Sequence, residues 1–257
     1  MYDAFSTDYD RFVNWPARLE AELPFIEAQL AAVAEAGAGP LGVLDSACGT
    51  GMHAIALAQR GYSAAGADVS APMIERARAN ARASAAPVRF ETAGFGELAE
   101  VFGPGAFDAL LCLGNSLPHL LTDADLAAAL DDFAACLRPG GLLLIQNRNF
   151  DAVMARRERW MEPQAHREDE TEWLFMRFYD FDPDGLITFN VVTLQREGTG
   201  PWTQRVTTTR LRPLQQPDTV QALAAAGFVG VTCYGDMTGA AFDAQTSGNL
   251  VVAARRR

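Results

Sequence analysis

Two carboxylates flank a glycine-rich turn near the start of the chain. In Val43-Leu44-Asp45-Ser46-Ala47-Cys48-Gly49-Thr50-Gly51-Met52-His53-Ala54, Gly49 and Gly51 sit where a short apolar run gives way to a helical pattern. Glycine at such a turn lets backbone approach a ligand closely and presents N–H groups at a helix start. Gly49, Gly51 and Ala54 satisfy the dinucleotide spacing G-x-G-x-x-G/A, so an NAD-dependent oxidoreductase is one reading of the turn. Asp68 lies 17 residues beyond Gly51, at the end of a second strand pattern, where a carboxylate can accept both hydroxyls of an adenosine ribose. Asp45 separates the candidate ligands. Four residues before Gly49, its carboxylate would crowd a pyrophosphate but attract a cationic amine or sulfonium, which tips the balance toward S-adenosylmethionine. Each acid also has a bland reading, Asp45 as the cap of the turn and Asp68 as a solvated strand end.

Two later stretches suit a small polar acceptor. Leu113-Gly114-Asn115-Ser116-Leu117-Pro118-His119-Leu120 and Asn147-Arg148-Asn149-Phe150-Asp151 each follow a strand pattern. Ligands of open α/β sheets bind at the carboxyl ends of strands. An Arg there is the natural partner of a carboxylate, because its planar fork bonds both oxygens. Arg148, Asn115 and His119 are therefore the candidate catalytic residues. Their plain alternatives are a surface ion pair, a turn before Pro118 and a hydrogen-bonding structural histidine.

The elements that must position these residues alternate. The spacing predicts a helix over residues 9–36, then short strands and helices in turn: strand 41–47, helix 52–60, strand 63–67, helix 72–82, strand 88–91, a loop with a short helix through 98, strand 107–113, helix 123–137 and strand 142–146. That order means βαβ units, a parallel sheet and helices on both faces. Three strands over 172–181, 186–195 and 204–211, joined by Asp-Pro-Asp-Gly and Gly-Thr-Gly-Pro turns, form an antiparallel insertion. Helix 218–226 and strands 229–234 and 249–253 return to the α/β layout. The expected division is an N-terminal helical lid at 1–40, an α/β domain at 41–150 and 212–257, and a β cap at 151–211.

Composition narrows the partners. The 257 residues carry a net charge of −11, with 21 basic residues, all of them Arg. Nucleic-acid binders carry a basic stripe; here Arg156, Arg157 and Arg159 read as a solvated helix face or a subunit contact in a homo-oligomer. No stretch approaches the ~20 apolar residues of a spanning helix. Cys48, Cys112, Cys136 and Cys233 have no C-x-x-C spacing and no metal pattern with the three histidines. The first residues lack the basic start and apolar core of a signal peptide, so the expected location is cytoplasmic.

With these motifs the chain resembles the class I S-adenosylmethionine-dependent methyltransferases over residues 41–147. Their first motif has the shape D-x-x-C/G-G-x-G and is followed by an acid ending strand two; Asp68-Val69-Ser70-Ala71-Pro72-Met73 is similar to their D-x-S-x-x-M continuation. The resemblance implies a doubly wound, mostly parallel seven-stranded sheet, S-adenosylmethionine as cofactor and S-adenosylhomocysteine as its product. It implies that Asp45, Ala47 and Gly49 meet the methionyl end, Asp68 the ribose, and Val69, Met73 and Phe95 the adenine. Cys48, Gly51 and Leu113 complete the set of cofactor candidates; Cys48 reads as a small buried filler, because no basic partner is visible to lower its thiol pKa. Ala93-Gly94-Phe95 lacks the Asp that this loop commonly offers adenine. Leu113 to Leu120 and Arg148 to Asp151 resemble the L-G-N-S-x-x-H-L and R-N-Y-D stretches of glycine and sarcosine N-methyltransferases, with Phe150 in place of Tyr. That likeness implies that Arg148 grips a substrate carboxylate and Asn115 helps place it. Tyr2, Phe5, Tyr9, Phe12 and Trp15 are similar to the same family's aromatic entry segment. The lack of an N-P-P-Y tetrad after strand four points away from nucleic-acid methylation. The open alternatives are transfer to an oxygen or carbon acceptor, the oxidoreductase, and a binding module without turnover.

Overall fold

A computed structural model describes residues 9–33 and 39–257 of the chain. Its centre is a seven-stranded sheet in the order β10-β11-β5-β4-β1-β2-β3. The strands are β1 (Gly42–Asp45), β2 (Ser63–Asp68), β3 (Arg89–Thr92), β4 (Phe107–Cys112), β5 (Leu137–Arg148), β10 (Phe228–Tyr234) and β11 (Asn249–Arg256). All pairings from β3 to β5 are parallel, and β11 runs antiparallel to both β5 and β10. Helices cover both faces: α1 (Trp15–Ala31), α2 (Met52–Gln59) and α3 (Ala71–Ala83) on one, α4 (Leu98–Phe102), α5 (Asp123–Cys136) and α7 (Gln216–Ala225) on the other. Strands buried on both faces read as apolar runs, which is why β4 is buried at every position. The strand order reverses between β1 and β4, and the crevice at that switch point is where such sheets bind ligands.

A second sheet, β6-β7-β8-β9, follows helix α6 (Phe150–Arg156). Its strands are β6 (Gln164–Glu168), β7 (Thr171–Phe181), β8 (Ile187–Glu197) and β9 (Thr203–Leu211), all antiparallel. The expected cap is present, with four strands rather than three. β6 escaped because four of its five residues are exposed, so an edge strand carries no inward-outward alternation to read.

Two further departures have local causes. The helix expected over 9–36 is interrupted at Val13-Asn14: the Asn14 side chain accepts the Ala17 N–H at 3.3 Å and caps α1, with a proline in its first turn. Residues 34–36, and Tyr2 and Phe5 of the entry segment, lie outside the described residues. Strand β5 begins five residues earlier than its apolar run, at Leu137, which pairs with Phe107 before a register shift that absorbs Arg138-Pro139-Gly140-Gly141.

Candidate active site

The glycine turn between β1 and α2 is fixed by sterics and by Asp68. Gly49 and Gly51 have φ of +53° and +81°, and a Cβ on Gly51 would lie 2.6 Å from the Phe90 ring. Only glycine fits there. The Asp68 carboxylate spans two turns, accepting the Gly49 N–H and the Ser70 N–H at 2.9 Å each. Asp45 ends β1 and is 2% exposed; its Oδ1 has no hydrogen-bond partner. Burial pushes its carboxyl up to about 6, against the pull of His53 and with a further push from Asp68. A buried carboxylate with one oxygen unsatisfied is an open seat for a cation or donor.

A cavity of about 480 Å³ opens at this crevice and is lined by Ala47, Gly49, Asp68, Val69, Met73 and Phe95 among others. Six of the ten cofactor candidates thus share one wall. The other four stand behind it. Asp45 is buried at the end of β1, Gly51 keeps the turn, and Cys48 and Leu113 pack into the core. Burial pushes the Cys48 thiol well above its ordinary value, so it is a neutral filler. Glu97, unassigned from the sequence, also lines the cavity and accepts the Gly94 N–H at 2.8 Å, placing a carboxylate near the loop that lacks the family's Asp.

Phe95 is positioned from beneath. Its ring meets Phe133 of α5 edge-on at 5.2 Å. Asp132, also on α5, accepts N–H groups of Gly96, Leu98 and Ala99 at 2.9 Å, satisfying the orphan donors at the start of α4 across a sequence gap of more than thirty residues. Nothing local in the sequence signals that role.

A larger cavity, about 680 Å³, lies between the end of β5 and the cap sheet. Asn115, His119 and Arg148 all line it, so the structure brings the three acceptor-side candidates together. Arg148 is half-buried; its Nη2 meets Glu158 at 3.4 Å. Asn115 sits at φ +66°, a left-handed turn that Asn tolerates, and its Oδ1 accepts the Arg148 N–H at 2.9 Å. Its visible role is to hold the end of β5. Burial holds the His119 imidazole down to about 4, so it is neutral at ordinary pH. Residues missed from the sequence include Arg18, which bonds Glu22, which in turn meets His53 at 2.7 Å, and Gln146, whose Oε1 accepts the Gly114 N–H at 2.9 Å. Tyr9, Gly114 and His119 line both cavities. The two spaces therefore meet along one short wall.

Residues 43–141 match the family model of the methyltransferase domain. This stretch is a methyltransferase domain. That domain runs from β1 into the start of β5 and contains Asp68 on the wall of the smaller cavity and Asp45 behind it, while Arg148 and the cap lie beyond it. A glycine/sarcosine N-methyltransferase of Parasynechococcus marenigrum is 38% identical over 150 residues, 58% of this chain and 51% of that protein. A second, from Aphanothece halophytica, is 28% identical over 91% of this chain and 82% of its own length. The chain spans about half the length of the curated relatives it matches at higher identity. An S-adenosylmethionine-dependent methyltransferase of Clostridium acetobutylicum superposes with a TM-score of 0.76 at 16% identity, covering 99% of this chain and 98% of that one, which shows that cap and α/β unit together are a methyltransferase fold.

The donor set of the smaller cavity fits S-adenosylmethionine. The Asp68 carboxylate on its wall suits a ribose, the unpartnered Asp45 oxygen behind that wall suits a cationic amino acid end, and the apolar Val69, Met73 and Phe95 suit a flat base.

Proposed function

We propose that the chain is an S-adenosylmethionine-dependent N-methyltransferase acting on a small carboxylate-bearing amine of the glycine or sarcosine kind. The observation that carries this is the meeting of an acidic cavity and an arginine-bearing cavity along Tyr9, Gly114 and His119. Bound S-adenosylmethionine would supply an electrophilic methyl group on a sulfonium. Asp45 and Asp68 hold the donor's amino acid and ribose ends, with Ala47, Gly49, Val69, Met73 and Phe95 along its length. Arg148 binds the acceptor carboxylate, and Asn115 keeps Arg148 in place through its backbone. Neutral His119 accepts a hydrogen bond from the amine and leaves the nitrogen lone pair aimed at the shared wall. No strong base is required, because a free amine is already a nucleophile. Alignment alone supplies much of the acceleration, with proximity worth up to ~7–11 kcal/mol in well-oriented systems.

The names of the two relatives support the amine assignment. The net charge of −11 argues against a polyanionic acceptor such as nucleic acid and so favours a small-molecule one. The test is incubation with methyl-labelled S-adenosylmethionine and glycine, sarcosine, dimethylglycine or carboxylate-free amines, reading the labelled product by mass. Label on the amino acids, lost in Arg148→Ala, supports the assignment. Label on an oxygen acceptor, or turnover indifferent to Arg148, refutes it.

A further inference from the structure

Among the described residues, eight buried side-chain polar atoms lack a hydrogen-bond partner. Four of them belong to three residues lining the larger cavity: Asn147 Nδ2 and Oδ1, Arg148 Nε and Arg177 Nε. Buried polar atoms are nearly always satisfied, so their gathering around one cavity points to a ligand that completes them. Asn147 is 1% exposed, with neither end of its amide bonded.

Arg177 is the unexpected member. It lies on β7 of the cap, at the third inward position of Trp173, Phe175, Arg177 and Tyr179, whose other members are almost fully buried aromatics. Its cross-strand partner is Val191, and its guanidinium stacks 4.7 Å from the centre of the Phe12 ring. No carboxylate pairs with it among the described residues, whereas Arg18 has Glu22 and Arg148 has Glu158. Burial lowers its affinity for a proton, Tyr179 opposes that, and the nearby Arg148 adds to it. A charge inserted into an apolar face without a partner costs stability. It is explained if the missing anion arrives with the substrate.

We propose that Arg177, together with Asn147, is a second anchor for the acceptor's carboxylate, so that one acidic group is shared between Arg148 at the end of β5 and Arg177 on the cap. The inference rests on the proposed function and extends it: the acceptor's acid ties the cap to the α/β unit, and Glu158, exposed and at 3.4 Å, holds the Arg148 fork until that acid displaces it.

The experiment titrates glycine and sarcosine by calorimetry into full-length protein saturated with S-adenosylhomocysteine, comparing wild type, Arg177→Met and Arg177→Gln. Removing a charge-assisted hydrogen bond at a half-buried site is expected to weaken carboxylate binding about 10- to 100-fold, with S-adenosylhomocysteine affinity unchanged. In turnover, KM for the amino acids rises by the same factor, kcat changes little, and KM for ethanolamine, which has no acid, stays put. Arg177→Gln keeps two donors and serves if Arg177→Met does not fold. Wild type that binds no amino acid sinks both the function and this inference. Wild type that binds, with either folded variant binding equally well, overturns the Arg177 anchor alone.

Discussion

Replacing Asp45 with Asn should make the empty protein more stable and a worse binder. The Asp45 carboxyl is raised from 3.8 to about 6 in the folded state. A raised folded pKa means that the native state holds the proton more tightly than the unfolded chain. Stability from this group is therefore greatest below about pH 3.8, falls as pH rises to 6, and is level above that. The difference of about two pKa units, at ~1.4 kcal/mol each, sets the cost of the charge near neutral pH at about 3 kcal/mol. Asn removes the charge at nearly the same volume and can still accept from the Ala47 N–H that the carboxylate now holds. Discounting for relaxation, Asp45→Asn stabilises the empty protein by about 1–3 kcal/mol at pH 8, or about 2–4 °C of Tm per kcal/mol in a chain of this size. At pH 4 the two proteins melt together. The same change removes the carboxylate proposed to face the donor's cationic end and is expected to weaken S-adenosylmethionine binding about 10- to 100-fold. Thermal unfolding at both pH values, with and without S-adenosylmethionine, measures all of this. An empty variant less stable than wild type at pH 8, or one that binds the donor equally well, would refute the electrostatic account of β1's end.

Other outcomes follow from single interactions. Donor affinity should fall as pH drops through 6, where Asp45 becomes neutral, and be flat from 7 to 8; calorimetry across that range checks it. Gly51→Ala, with its Cβ driven into the Phe90 ring at φ +81°, should lose about 2–4 kcal/mol by denaturant melting. Asp132→Ala removes the acceptor of three N–H groups at the start of α4 and should lose about 2–4 kcal/mol while raising KM for the donor, because Phe95 loses its support. Asn115→Ala strands the Arg148 N–H and should raise KM for amino acids with the donor's KM unchanged.

Most of the α/β unit was legible because short continuous apolar runs give way to a 3.6-residue period at each boundary and glycine marks the first turn. Asp45, Gly49 and Asp68 could be placed at the crevice from the sequence because their positions in a βαβ unit fix where their backbone must be. The break at Asn14 was written in the chain, in an Asn followed by a Pro two residues on, but the apolar spacing of Phe12, Leu19 and Leu23 masked it. β6 left no such trace, since an exposed polar edge needs only backbone pairing. Asp132 and Gln146 act across the fold, on partners set by tertiary packing. Arg177 did leave a trace: with period two, Trp173, Phe175, Arg177 and Tyr179 share a face, and a charge among three aromatics contradicts the pattern around it. Local rules tend to break at functional positions.

The charge distribution then bears on the chemistry of the proposed reaction. The smaller cavity is walled by Asp68 and Glu97, with Asp45 behind, and the larger by Arg148 and Arg177. A cationic donor and an anionic acceptor group are thereby drawn to opposite ends, and a zwitterionic amine enters carboxylate first toward the arginines. That orientation leaves its nitrogen at the wall of Tyr9, Gly114 and His119, nearest the donor. An ammonium is not a nucleophile, so the amine must shed a proton there. Two guanidiniums holding the neighbouring carboxylate make the ammonium less favourable, and its proton passes to solvent water, since His119 is too weakly basic to keep it. The arginines thus do two things with one charge: they select the acid, and they lower the pKa of the nitrogen beside it.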